Sequence, residues 1–300
     1  MNIPDFIKKI DAGHAKIVAE GTFTFLSLAS LVLFGVYAYH IEGASVRALS
    51  AGVMLSELAI KPGTLIAKAV VVYDVKANKI LFEKNANAPL ALASLTKLMA
   101  AEAILATEDE GTTITITSAD LAPEGDSGLI VGEVWTLKNL LTFGLVASSN
   151  DAMAAAASGG GIEGTVEKMN NLAQVFGLTS MHFANPTGLD TSSTTAGAYG
   201  SARDMALLVS DFLRQYPVLF SATVNETTPM KATAEPILDI PGLIGAKTGY
   251  TDLAGGNLVA AFDIEVGHPI VVVVLGSSRE GRFTDVRNLI DAARAVLAKN

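Results

Sequence analysis

The segment Ala93-Ser94-Leu95-Thr96-Lys97-Leu98-Met99-Ala100 holds the only Ser-x-x-Lys in the sequence. On a helix, positions i and i+3 lie on one face, so this spacing lets the Ser94 hydroxyl and the Lys97 amine meet. Such a pair is a nucleophile with its base. The amine can take the hydroxyl proton only when it is itself neutral, a state that burial and a neighbouring cation both favour. At a helix head, unpaired backbone N–H groups would also be available to the negative charge that grows on an attacked carbonyl. Alone, the motif fits a capping serine at an exposed helix start equally well. Two further stretches supply complementary chemistry. Ser148-Ser149-Asn150 offers a second hydroxyl and an amide where one apolar helical segment gives way to the next, and alone it reads as a helix N-cap. Lys247-Thr248-Gly249 brings a second cation and a hydroxyl to the end of a strand, and alone it is an ordinary strand exit.

The elements that must position these residues follow from hydrophobic patterning. Ala67–Asp74 is a β-rich run, and Lys79–Glu83 follows it across a polar turn, which predicts a hairpin leading directly into the Ser94 helix. Residues 103–215 are Ala- and Leu-rich with helical spacing, as in Leu137–Leu141 and in Met169–Phe176, the latter stopping at Gly177 as a C-cap would. From Gly242 the pattern returns to strands at Leu243–Thr248, Asn257–Asp263 and Ile270–Leu275. Phe283–Lys299 closes the chain as an amphipathic helix with Val286, Leu289, Ile290 and Ala293 on one face. The expectation is one α/β (α+β) domain over residues 66–300, its sheet assembled from both ends of the chain around an all-helical insertion lobe.

Composition places part of the chain in a membrane. Half of the 300 residues are hydrophobic and only 17% are charged, with a mean hydropathy of +0.42. Gly21–Ile41 carries no Asp, Glu, Lys or Arg and would span roughly 31 Å as a helix, against about 30 Å of bilayer core. Lys8, Lys9 and Lys16 precede it, while only Arg47 and Lys61 follow closely. That bias predicts a cytoplasmic tail at 1–20, a transmembrane signal anchor at 21–41, a linker at 42–65 and an extracytoplasmic domain. A cleaved leader ending near Val36-Tyr37-Ala38 is the competing reading. The net charge of −9 argues against nucleic-acid binding, and the absence of cysteine removes disulfides, Cys-type zinc sites and thiol catalysis. His14, His40, His182 and His268 are scattered without metal-ligand spacing, so neither metal nor cofactor is expected. The stretch before Lys247 is not a phosphate loop, because Ala246 stands where glycine is needed, and Gly159–Gly164 follows a helical run and reads as a helix break.

Ser-x-x-Lys, Ser-x-Asn and Lys-Thr-Gly in this order resemble the signature of penicillin-binding proteins and β-lactamases. The longer neighbourhoods narrow the resemblance. Val71–Leu98, Gly132-Glu133, Ser149–Ala152, His182–Asp190, Ser201–Asp204 and Lys247–Thr251 with Ala254-Gly255 are similar to the low-molecular-mass D-alanyl-D-alanine carboxypeptidases of serine peptidase family S11, over roughly residues 66–300. The chain stops after the terminal helix, so the C-terminal β-domain that many members carry is expected to be missing, and Ser149 stands where the family usually has glycine. The resemblance implies a β-lactamase/transpeptidase-like antiparallel sheet flanked by helices. It also implies trimming of the terminal D-alanine of peptidoglycan stem peptides, or cutting of a D-alanyl cross-link, through an acyl-enzyme on Ser94. Lys97 would be the base, Ser148 the proton relay to the leaving amine, and Asn150 a holder of the substrate amide. Lys247 and Thr248 would bind the substrate carboxylate, with Lys247 also keeping Lys97 neutral. Gly249 would clear the strand edge for substrate, and the backbone N–H groups of Ser94 and Tyr250 would form the oxyanion hole. β-Lactam antibiotics would act as covalent inhibitors. Two alternatives remain: a β-lactamase, for which Glu167–Asn171 imitates a deacylating Glu-x-x-x-Asn, and a non-catalytic, membrane-tethered wall-binding module.

Overall fold

The run Ala-Val-Val-Val-Tyr-Asp lacks polar alternation because both of its faces are covered. In the computed structural model, which describes residues 64–122, 128–225 and 233–297, it forms β1 (Ala69–Asp74), buried at every position. β2 (Lys79–Lys84) and β3 (Leu90–Ala91) follow, then a 3₁₀ turn at Ala93–Leu95 that runs into α1 (Thr96–Leu105). β4 (Thr113–Thr115), β5 (Val134–Thr136), α2 (Leu137–Val146), α3 (Asn150–Ser158) and α4 (Ile162–Val175) come next. After β6 (His182–Phe183) and β7 (Ala198–Gly200) lie α5 (Ala202–Gln215) and the short α6 (Pro217–Ser221). β8 (Leu243–Thr251), β9 (Gly255–Asp263), β10 (Pro269–Ser277) and α7 (Gly281–Leu297) complete the order.

The main sheet is antiparallel with strand order β2-β1-β10-β9-β8, so the first and last strands of the domain pair in its centre. Side chains alternate faces along a strand, and the core divides accordingly. Val70 and Val72 join Leu258, Val272 and Val274 under Val286, Leu289, Ile290 and Ala293 of α7. Val71 and Tyr73 join Val259, Val271 and Val273 under Met205, Val209 and Phe212 of α5. Asp285 of α7 fastens the entry to β1, accepting from Ile66 N at 3.0 Å, Ala67 N at 2.8 Å and Ser277 Oγ at 2.8 Å. Leu65, placed at the end of the linker by sequence, is already buried in this core.

The lobe between β3 and β8 is not all-helical. β4 pairs with β5, and β3, β7 and β6 form a small three-stranded sheet. Strands of two or three residues are too short to print a period-2 pattern, which is why the sequence reads as continuous helix there. α1 runs through the middle of the lobe, packed against α2, α3, α4 and α5. Every residue from Thr96 to Ile104 is buried, Lys97 and Glu102 included, on a helix otherwise almost wholly apolar. The tail, the candidate membrane span and the linker up to residue 63 lie outside the described residues. Among the described residues no helix is long and apolar enough to cross a membrane.

Candidate active site

Ser94 lies in the 3₁₀ turn just ahead of α1, not within the α-helix. In 3₁₀ geometry i and i+3 eclipse, which sets the Ser94 hydroxyl over Lys97. Lys97 Nζ donates to Ser94 Oγ at 2.9 Å. Neither the turn nor α1 has a side-chain cap, so Ser94 is not a capping serine. The turn is strained: Ala93 sits at φ +48°, a conformation that costs a non-glycine residue of order 1 kcal/mol.

Lys97 is wholly buried because α1 is. Its amine is held by three separate segments: beyond Ser94 it donates to Asn150 Oδ1 at 2.7 Å and to the Thr187 carbonyl at 2.8 Å. Burial lowers its pKa to about 7, within reach of a neutral base at ordinary pH. Thr187 comes from the loop between β6 and β7. Asn185 Oδ1 holds that loop by accepting from Thr187 N (3.2 Å), Thr187 Oγ1 (3.0 Å) and Gly188 N (2.7 Å). At Gly188, φ is +81° and a Cβ would lie 1.9 Å from the Ala93 carbonyl oxygen, so only glycine lets the loop pass so close to the Ser94 turn.

The α2–α3 junction separates the two serines of Ser-Ser-Asn. Ser149, not Ser148, is the N-cap of α3, its Oγ accepting from Ala152 N at 2.9 Å. Ser148 is left to the site in a left-handed backbone (φ +59°), where its Oγ accepts from Lys247 Nζ at 2.7 Å. The serine that replaces the family's usual glycine thus serves the helix, at a negative φ that needs no glycine.

β8 is an edge strand, and its unpaired side adjoins the Ser94 turn. Lys247 is wholly buried there and also donates to the Thr248 carbonyl at 2.8 Å. Its pKa is pushed well down, by burial first and then by the charges of Lys97 and Arg282. For Lys97 the cause is burial. Sequence reasoning had Lys247 lowering Lys97; since repulsion between two amines is mutual, burial makes each base-like and the pair resists carrying two charges at once. Thr248 Oγ1 donates to Thr233 Oγ1 at 2.7 Å.

Gly249 serves a different need from the one expected. A Cβ on it would point into the protein, 3.0 Å from the Leu92 carbonyl oxygen and 3.2 Å from both Ala93 Cβ and Ser94 N. Glycine here lets β8 close against the nucleophile turn, and the same contact brings the Ser94 amide up to the strand. Tyr250 is next along β8, its ring exposed and lying 4.0 Å below the Arg279 guanidinium.

The structure therefore brings Ser94, Lys97 and Asn150 into one hydrogen-bonded group and Ser148 and Lys247 into a second, close enough for the charge of Lys97 to act on Lys247, with Thr248, Gly249 and Tyr250 along the adjoining strand. Sequence reasoning gave no role to Thr187, Asn185 or Asn257. The Asn-Pro-Thr-Gly run was a readable turn signal, but a carbonyl acceptor has no side-chain signature. Asn257, wholly buried in β9, ties Ala91 O (2.9 Å, from Nδ2) to Gly276 N (2.8 Å, to Oδ1) and so fixes the chain just ahead of Ser94. Glu167 and Asn171, the pair on which a β-lactamase reading rests, both lie exposed on α4, while Asn170 between them is engaged with the Phe183 backbone at 2.9 and 3.0 Å. Among the described residues no three His, Cys, Asp or Glu side chains gather as a metal site.

Comparison with known proteins places the chain in a family. A family model described as D-alanyl-D-alanine carboxypeptidase, peptidase S11, matches residues 56–279. The D-alanyl-D-alanine carboxypeptidase DacF of Bacillus subtilis (strain 168) is 35% identical over 244 residues, covering 76% of this chain and 62% of its own length. The chain spans about three fifths of the length of several such curated relatives. Among solved structures, a D-alanyl-D-alanine carboxypeptidase from Mycobacterium tuberculosis H37Rv superposes with a TM-score of 0.71 at 28% identity, covering 77% of this chain and 92% of that one. Penicillin-binding protein D2 of Listeria monocytogenes, in its cefotaxime-bound form, gives 0.65 at 26% identity, covering 76% and 97%. With three quarters of its length matched and its serine, lysines and strand edge in one cluster, the chain belongs to the D-alanyl-D-alanine carboxypeptidase family of S11 peptidases.

Proposed function

We propose that this protein is a serine D-Ala-D-Ala carboxypeptidase that removes the terminal D-alanine from peptidoglycan stem peptides in cell-wall remodelling. The observation that carries the reading is Lys97: wholly buried, its pKa lowered to about 7, and 2.9 Å from the Ser94 hydroxyl. Neutral Lys97 takes the Ser94 proton as Oγ attacks the carbonyl between the two D-alanines. The backbone N–H groups of Ser94 and Tyr250 take up the oxyanion, a contribution whose loss typically lowers rate about 10²- to 10³-fold. As the tetrahedral intermediate collapses, the proton passes to the leaving amine through Ser148, D-alanine departs, and an ester remains on Ser94. Water then hydrolyses the ester and returns the proton. Lys247 and Thr248 receive the substrate carboxylate, and the free edge of β8 supports the peptide as an added strand. A D-alanyl cross-link passes through the same acyl-enzyme, so endopeptidase activity is a variation in substrate and not in chemistry.

The apolar run at 21–41, with its three preceding lysines, supports anchoring of this domain on the outer face of the cytoplasmic membrane. Membrane fractionation and protease accessibility of the domain in intact spheroplasts test that placement, and a soluble, full-length cytoplasmic product would refute it.

The test of the activity is labelling with fluorescent penicillin followed by a chase in buffer. Wild type should label and hold the adduct for many minutes, while Ser94→Ala should not label. An adduct shed within seconds with penicillin turned over would instead indicate a β-lactamase. No labelling at all would leave a wall-binding module.

A further inference from the structure

Arg282 is an anomaly of the molecule. It stands in the first turn of α7, only 9% exposed, with no carboxylate within ion-pair distance among the described residues, and its Nε has no hydrogen-bond partner. A guanidinium this deep normally has an anionic partner, because taking the charge out of water is costly. Burial, followed by the charge of Arg279, lowers its pKa. Its ring neighbour is Phe283, 4.7 Å from the guanidinium carbon. Its one directed polar contact is a 2.7 Å hydrogen bond from Nη1 to the Gly249 carbonyl oxygen.

That carbonyl belongs to the peptide unit joining Gly249 to Tyr250. A trans peptide is planar, with C=O and N–H pointing in opposite directions, so fixing one end aims the other. This unit has particular need of such fixing. Glycine has no side chain to restrain its ψ, β8 is paired on one side only, with Gly249 opposite Asn257 of β9, and the turn that follows β8 closes at Gly255 with φ +66°. The Ser94 amide, the companion donor, lies against the same Gly249 backbone, 3.2 Å from where its Cβ would be.

We infer that Arg282 is a positioning residue for the oxyanion hole: by holding the Gly249 carbonyl from behind the sheet edge, it turns the Tyr250 N–H toward the carbonyl that Ser94 attacks. A charge is suited to the task because hydrogen bonds from charged donors are about twice as strong as neutral ones. A second carbonyl acceptor or a carboxylate would divide that restraint. This inference rests on the proposed acylation of Ser94.

The test is acylation kinetics of Arg282→Met and Arg282→Lys beside wild type, separating initial binding from the acylation step. Two acyl donors are used, one with a carboxylate on its leaving group and one without. In Arg282→Met the acylation rate constant should fall about 10- to 100-fold, with initial binding changed less than threefold and the loss equal for both donors. Arg282→Lys, which keeps a charged donor on a slightly shorter stem, should recover a substantial part of the rate. A loss confined to the carboxylate donor would overturn the inference in favour of direct charge recognition, and an acylation rate within threefold of wild type would remove the role altogether. Should the Met variant melt below the assay temperature, the Lys variant decides alone: a loss beyond tenfold limited to the carboxylate donor counts against the inference, and a smaller, equal loss on both donors supports it. Failure of the wild type to acylate would sink the proposed function itself, an outcome distinct from these.

Discussion

Lys97 and Lys247 are both wholly buried, and the site is built around the difference between them. Lys97 comes from a buried, mostly apolar helix, and its amine meets groups from three segments, Ser94, Asn150 and Thr187. Lys247 comes from the edge of a sheet and has two, the Ser148 hydroxyl and the carbonyl of its own neighbour. Burial alone accounts for the lowered pKa of Lys97, while Lys247 also feels two nearby cations. An amine held from three sides by neutral groups is fixed in place, and once neutral it keeps two N–H bonds, to Asn150 and Thr187, and turns its lone pair to the Ser94 hydroxyl. An amine short of partners and crowded by cations is stabilised when an anion arrives. The same residue type, equally buried, thus serves as base in one place and as anion receptor in the other.

Replacing the base should have the largest effect. Lys97→Met should lower penicillin acylation by about 10³-fold or more, in line with the loss of a general base. Its melting temperature should hold or rise. Between pH 7 and 10.5 the folded protein binds fewer protons at this position than the unfolded chain, so stability from this residue is lost as pH falls through that window. The full penalty, about 5 kcal/mol, is present below pH 7. Removing the amine removes the penalty. A variant that unfolds at neutral pH would show that the three hydrogen bonds outweigh it.

Lys247→Met should divide by substrate. On a donor ending in a free carboxylate, kcat/KM should drop about 10²-fold, the scale of a lost charged hydrogen bond. On a donor without that carboxylate the loss should stay within tenfold. Equal losses on both would make Lys247 a partner in proton transfer through Ser148, and the contrast between the lysines would fail.

The pH profile sharpens the contrast further. Activity of wild type should decline as pH falls below about 7, where Lys97 gains its proton and can no longer accept one from Ser94. Burial alone lowers Lys97, so in Lys247→Met the acid limb should stay in place. A limb that moves to higher pH would mean that Lys247 is charged in the free enzyme and repels protonated Lys97.

How far this site was legible depended on what kind of group each part is. Ser94 and Lys97 are three residues apart in a helical turn, so covalent spacing alone predicted their contact. Ser148, Asn150 and Lys247 required the fold, but their side chains carry chemistry that a sequence displays. The Thr187 carbonyl and the Gly249 contact could not be read in the same way. One is a backbone acceptor, which any residue would supply, and the other is a glycine whose need is set by the turn behind it and not by substrate in front. For the fold, long apolar runs placed β1, β8, β9, β10 and α7, with ends displaced by a few residues. The two- and three-residue strands β3 to β7 left no period to detect. The burial of α1, which makes Lys97 a base, was implicit in a helix whose residues after Lys97 are almost all apolar.

The smallest effect concerns the segment that distinguishes the lysines most subtly, the loop that lends Lys97 its third acceptor. Asn185 accepts three hydrogen bonds and donates a fourth to the Leu189 carbonyl at 2.9 Å, in a space so close that a Cβ on Gly197 would lie 2.4 Å from its Nδ2. Asn185→Ala should release the loop, let the Thr187 carbonyl drift from Lys97, and lower acylation about tenfold with a stability loss of about 1–3 kcal/mol. Asn185→Asp keeps the accepting Oδ1, loses the bond to the Leu189 carbonyl, and adds a negative charge close to the base. That charge favours protonated Lys97, so the acid limb should rise in the Asp variant and not in the Ala variant. If both variants lose rate with an unchanged limb, Asn185 only braces the loop. If the Asp variant alone shifts it, the electrostatics around Lys97 are set by this loop as well as by burial, and the difference between the two lysines is held partly outside the three motifs that announce them.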